Sequence, residues 1–179
     1  KDFEVRSISF FQMISIQSQS NPEIAIEKLN QFLVEYPNQK WVADINYQIA
    51  FNYFRKKNFN DAITYLDRAL SFDLNAEMEE KAKYLKGESL FLLFKKTDCV
   101  TLFSDFVQQY PQSQFKDEAL FKLAVSLYQS ALMDSSEIFF NQLISDFPNS
   151  NKVGMSNYYL GEIKLASAHY SQAKTYFES

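Results

Sequence analysis

A chain of 179 residues with a formal charge of −4, its Lys and Arg scattered rather than gathered, has no basic stripe and so lacks the electrostatic footprint expected of a nucleic-acid binder. Three glycines and four prolines are few for a sheet protein with many tight turns, whereas Leu, Ala, Lys, Glu and Gln are abundant, so the composition points to helices. Aromatic residues make up 17% of the chain, mostly Phe and Tyr, so large rings must supply much of the buried surface.

Hydrophobic patterning predicts helices over Val5–Gln19, Glu23–Tyr36, Trp41–Lys56, Asn60–Phe72, Ala76–Lys95, Asp98–Tyr110, Lys116–Gln129, Ser135–Phe147 and Lys152–Ala166, with a further partial helix around Ala173. Three of them end in the same punctuation, "YPNQ", "YPQS" and "FPNS". Pro37, Pro111 and Pro148 are 74 and 37 residues apart, and Leu74, inside "SFDLNAEMEE", stands where a fourth is missing. Proline cannot continue a helix, so Tyr36, Tyr110 and Phe147 are expected as the last apolar residues before each break.

The same step of 37 runs through the helices. Ala25, Ala62, Cys99, Ser136 and Ala173 form a column of small residues that opens each second helix, and Leu29, Leu66, Phe103, Phe140 and Phe177 follow one turn later on the same face. Phe32, Ala69, Phe106 and Leu143, then Leu33, Leu70, Val107 and Ile144, continue the stripe. Twelve residues ahead of each anchor stand Met13, Ala50, Gly87, Ala124 and Gly161, mostly small, as needed where two helices cross closely. Nine ahead are Ile16, Tyr53, Leu90 and Leu127, with Lys164 as a departure that predicts weaker packing or an exposed edge.

A small residue, Ala twelve later, a large apolar residue four further, a small one after three more and then Pro resembles the tetratricopeptide repeat (TPR), whose usual period is about 34. The extra residues fall between hairpins, and the resemblance covers nearly the whole chain. It implies an all-α fold, a TPR-like right-handed superhelical solenoid of antiparallel helix pairs. One domain, 1–179, would hold four full units and a truncated fifth: 6–42, 43–79, 80–116, 117–153 and 154–179. The tryptophan-like position of the usual pattern is Ser9, Asn46, Lys83, Leu120 and Asn157, while the next is aromatic throughout. "FNYFRKKNFNDA", "YPQSQFKDEAL" and "DFPNS" are similar to the long-looped TPR domains of bacterial cell-envelope proteins such as BamD and YbgF.

No catalytic, metal or cofactor site is expected. His169 has no second histidine to join it, Cys99 fills a packing column, and no Gly-rich phosphate loop or metal-ligand spacing is present. The lone cysteine cannot form an internal disulfide, and no segment is apolar for the length of a membrane span. The chain begins at Lys1 rather than Met, which leaves room for a preceding signal peptide, lipid-anchor cysteine or domain.

In the family the outer face of the first helices lines a concave groove. Here that face comprises Phe10, Tyr47, Tyr84, Phe121 and Tyr158, then Ile14, Phe51, Glu88, Val125 and Glu162, then Phe54, Phe91, Tyr128 and Leu165. Two readings stand: the rings bury one another between adjacent repeats, or part of the ladder is an open apolar groove for an amphipathic helix or extended peptide. The expected partner-binding residues are Tyr47, Phe51, Phe54, Tyr84, Glu88, Phe91, Phe121, Tyr128 and Tyr158. A carboxylate clamp of the kind some TPR domains carry is disfavoured, since Lys81 is the one cation among Asp44, Glu88, Glu118 and Glu162. The resemblance implies a non-catalytic protein-interaction scaffold of bacterial envelope assembly, located in the periplasm or cell envelope, with a cytoplasmic location left open. Self-association through the truncated last unit is a further expectation. The alternatives are the superhelical part of a larger envelope enzyme, such as a peptidoglycan-cleaving protein, and an RNA-binding helical repeat, against which the acidic charge counts.

Overall fold

The computed structural model describes residue 14, residues 21–36 and residues 41–179. The helix expected over Val5–Gln19, with Ser9, Phe10, Met13 and Ile16 but not Ile14, lies outside the described residues, as does Pro37. Among the described residues the chain is all helical: α1 (Pro22–Glu35), α2 (Val42–Arg55), α3 (Phe59–Leu70), α4 (Ala76–Leu92), α5 (Lys96–Gln109), α6 (Lys116–Gln129), α7 (Met133–Asp146), α8 (Val153–Ala166) and α9 (Tyr170–Phe177). Two compact units divide the chain, Lys1–Ser89 and Leu90–Ser179.

Each helix stops for a local reason. Tyr36, Tyr110 and Phe147 cap α1, α5 and α7 with φ of −133°, −120° and −132° and ψ of 63°, 66° and 61°. A following proline clashes with helical backbone at the residue before it, so all three leave the helix in one conformation. Lacking that proline, α3 ends earlier in the period, at Leu70, with Ser71 still near helical backbone.

The turn inside each hairpin uses a different device. Lys57, Phe94, Ala131 and Ala168, again 37 apart, are left-handed at φ 60°, 56°, 60° and 61°. Around each, two backbone bonds close the helix end: Lys57 N–H to Phe54 O at 2.8 Å and Asn58 N–H to Tyr53 O at 2.9 Å in the first, Ala131 N–H to Tyr128 O at 2.9 Å and Leu132 N–H to Leu127 O at 3.0 Å in the third. This is the Schellman arrangement, built here without glycine. It ends α4 at Leu92, three residues short of the expected Lys95.

In the first unit Ile14, Ala25, Ile26, Leu29, Phe32, Ile45 and Ile49 form one core cluster. Ala50, Leu66, Ala82 and Leu85 form a second, bordered by Tyr47, Phe54, Tyr65, Leu70 and Leu74. Tyr65 links the two, stacked on Tyr53 at 5.5 Å and donating its hydroxyl to Asn30 Oδ1 at 3.0 Å. In the second unit Ala124, Val125, Phe140, Leu160 and Ile163 form the core, and Phe103 and Phe106 are buried edge to face at 6.4 Å.

The anchor column lies where two helices meet. Ala25, Ala62, Cys99 and Ser136 are completely buried and Ala173 nearly so. Ser136 Oγ donates to the carbonyl of Ala124, twelve residues back on the crossing helix, at 2.8 Å. At Gly161 an added Cβ would fall within the Phe177 ring, 2.7 Å from Cδ1, so a side chain there would displace the ring. Lys164, the departure from its column, is half-buried and held by Glu137 at 2.5 Å, so an ion pair between α7 and α8 replaces the apolar contact.

Phe140→Ala should destabilise by about 3 to 5 kcal/mol, because the cavity it leaves is enclosed on all sides. Ala124→Leu should cost about 1 to 3 kcal/mol by overpacking. Ala131→Gly should stabilise by about 1 kcal/mol, since it removes the left-handed penalty without touching a side-chain contact. Urea midpoints of the three variants check all of these.

Candidate protein-binding surface

In the first unit, Tyr47, Phe51 and Phe54 project from α2 at helical spacing. Tyr47 and Phe54 are half-buried beside Ala50, Leu66, Ala82 and Leu85, and Phe54 meets Phe59 edge to face at 5.4 Å. Phe51 is exposed, while Tyr84 and Glu88 are half-buried on α4. Burial pushes the Tyr47 phenol up, against a smaller opposing pull from Lys81, so it is a neutral hydrogen-bond donor at physiological pH. Burial likewise raises the Asp44 carboxyl, partly offset by its own backbone N–H. Lys81 itself is paired with Glu77 at 2.5 Å, one turn away.

In the second unit, Phe91, Phe121 and Tyr128 are half-buried around a ring absent from the expected set, Tyr159 of α8. Tyr159 stacks on Phe140 at 5.2 Å with an interplanar angle of 7°, and lies 5.0 Å from Tyr128 and 6.3 Å from Phe121. Tyr158 is 50% exposed, 5.7 Å from Tyr159 and 6.0 Å from Phe177. The ladder rings of α6 thus bury one edge against the next hairpin and keep another open. Burial also pushes the Tyr128 phenol up, as do the neighbouring Glu162, Tyr158 and Tyr159.

Charged groups brace this face in a way the spacing of apolar residues does not disclose. Lys122 is buried, pairs with Glu118 and holds its ammonium 5.8 Å from the Phe91 ring centre. Lys152 reaches Glu118 Oε2 at 2.8 Å and lies 5.7 Å over Phe121. Burial alone would raise the Glu118 carboxyl, but hydrogen bonds and charge from Lys122 and Lys152 outweigh it and hold it below its ordinary value near 4.5. Glu118 followed by Lys122 is a helical ion-pair spacing visible in sequence, but the reach of Lys152 is not.

Cys99 is buried and accepts from Ser126 Oγ at 3.2 Å, while exposed His169 has Nδ1 2.9 Å from Ser167 Oγ. Among the described residues no group of three or more His, Cys, Asp or Glu could hold a metal ion, and no helix is long and apolar enough to cross a membrane.

Residues 12–127 match the family described as YfiO, outer membrane lipoprotein. The chain belongs to this family. Residues 118–150 also match a tetratricopeptide repeat family. Similar solved structures include MamA AMB-1, 17% identical, with a TM-score of 0.77 over 98% of this chain and 90% of that one. MamA from Desulfovibrio magneticus RS-1, residue 41 to its end, is 16% identical, with a TM-score of 0.75 over 93% and 90%. A third MamA structure is 17% identical, with a TM-score of 0.74 over 90% and 88%. At these identities the likeness establishes fold alone, a TPR-like helical solenoid. Comparison with curated proteins finds no match.

Because the folded chain keeps Glu118 ionised to lower pH than the unfolded chain does, its contribution is fully present above about pH 4.5 and is lost as pH falls through the lowered value. Urea midpoints at pH 6 and pH 3 should therefore fall further apart in the wild type than in Glu118→Gln.

Proposed function

We propose that this chain is a non-catalytic scaffold of bacterial envelope assembly that takes peptide or protein partners on the aromatic face of its first helices. Its TPR fold and its place in the YfiO family support the general part of this reading, a protein-interaction scaffold. The family's description as an outer membrane lipoprotein supports the periplasm or cell envelope as its location.

The observation that carries the binding surface is the half-open state of the rings. Phe51 in the first unit and Tyr158 in the second are exposed, on the same face of the first helices where Tyr47, Phe54, Phe121 and Tyr128 are half-buried. A ring already fixed along one edge loses little freedom on binding, which suits it to anchor an apolar side chain of a partner. Each unit offers its own set: Tyr47, Phe51, Phe54 and Tyr84 with Glu88 in the first, and Phe91, Phe121, Tyr128 and Tyr158 in the second.

Exposed and packed rings should respond differently to truncation. Phe51→Ala and Tyr158→Ala should weaken binding of peptides from an envelope-protein library by about tenfold or more with an unchanged melting temperature, whereas Phe121→Ala should lower the melting temperature first. Binding should depend only weakly on salt, because the anchors are apolar. Unaltered affinity in both exposed-ring variants would remove these residues from the binding surface.

A further inference from the structure

We infer that the ion pair Glu137–Lys164, together with Glu118–Lys152, is a registry device: it ties α8 to the α6–α7 hairpin and makes docking of α8 anywhere else unfavourable, in the same chain or on a second copy. The device is independent of what the scaffold binds.

A chain that repeats its apolar stripe every 37 residues distinguishes one hairpin from another only weakly by shape and burial. Such repeats misassemble by docking a hairpin out of place or by exchanging it with another copy. Two columns break the likeness. Ahead of Glu137 in its column stand Ile26, Ile63 and Val100, and ahead of Lys164 stand Tyr53, Leu90 and Leu127. In the first unit Ile26 and Tyr53 lie in one core cluster, so there the two columns are joined by apolar packing. On α7 and α8 both members change together, and the contact becomes an ion pair of 2.5 Å between side chains only 18% (Lys164) and 26% (Glu137) exposed. Two desolvated charges gain little over a well-packed apolar pair, so stability is not what the exchange supplies. It changes the outcome of a wrong docking. Moved back one period, Lys164 would meet Val100 and no carboxylate, and a hairpin carrying Leu127 in place of Lys164 would leave Glu137 without a cation.

The other end of α8 repeats the pattern. Lys152, at its N-terminal cap, reaches Glu118 Oε2 at 2.8 Å, but one period earlier the Glu118 column holds Lys81. A shift of α8 by one repeat would therefore set lysine against lysine as well as leave Lys164 unpaired. The Tyr159–Phe140 stack lies between the two pairs and supplies the attraction, at 5.2 Å, while the charges at either end select the neighbour.

The test restores the apolar pair. Glu137→Val combined with Lys164→Leu reinstates the residues found one period earlier, and its urea midpoint should equal or exceed that of the wild type. Rapid dilution of the unfolded full chain from urea at high protein concentration should nevertheless give several-fold more dimer and larger species in sedimentation velocity than the wild type gives, or add a slow refolding phase whose amplitude is independent of concentration. The reversed pair, Glu137→Lys with Lys164→Glu, should refold as the wild type does, because its charges still match only each other. Kept folded throughout at the same concentration, the apolar variant should show the wild-type distribution of species, since both positions are largely covered. An apolar variant that refolds as cleanly as the wild type, or a reversed pair that misassembles as the apolar variant does, would overturn the inference. A lowered urea midpoint in the apolar variant would also overturn it, by making the pair a source of stability, as would association of the variant that was never unfolded, by making the effect one of surface.

Discussion

Close helix crossing at a point without bulk on either side is the constraint from which the rest of this structure follows. Ala50, Ala124 and Gly161 on first helices answer Ala62, Ser136 and Ala173 on second helices, and all of these are buried. Once the axes approach there, the large residues one turn away have fixed places to go. Leu66 and Phe140 fill the interior, and the aromatic residues of the opposite face are turned toward the neighbouring hairpin. Ser136 extends the same logic to a polar group: its hydroxyl is short enough to fit the crossing and is satisfied by the Ala124 carbonyl at 2.8 Å.

Spacing made the helices and their crossing columns readable, because a period of 37 repeats both apolar stripes and proline breaks. Within the described residues, the expected helix ends agree with the structure within three residues. The hairpin turns were harder to read. Left-handed backbone normally announces itself as glycine or asparagine, yet the four positions carry Lys57, Phe94, Ala131 and Ala168. The backbone bonds of the turn stabilise the conformation strongly enough that the side chain need not specify it. Only the shared step of 37, applied to turns rather than helices, would have marked them.

For the candidate surface, sequence located the ring columns but not how much of each ring is covered. Coverage depends on what the next hairpin places opposite, and Tyr159 falls one position beside a column already assigned to Tyr158. Lys122 and Lys164 are a second case. A lysine among core positions reads as weak packing or an edge, but in three dimensions Glu118 and Glu137 lie within reach, and the aliphatic stems remain packed. The partner of Lys164 is 27 residues away, beyond any local pattern.

Side-chain bonds between neighbouring hairpins also carry a kinetic meaning. Tyr65 to Asn30, Lys56 to Glu23, Ser150 to Asp117 and Lys164 to Glu137 span 35, 33, 33 and 27 residues, so none joins parts of the chain further apart than one repeat. Tertiary links as short as these leave little loop entropy to overcome before each contact forms. Folding can then begin at whichever hairpin closes first and spread to its neighbours, and loss of one interface need not melt the next. The scaffold is in this sense a series of weakly coupled cooperative elements, able to loosen at one end while the rest stays closed.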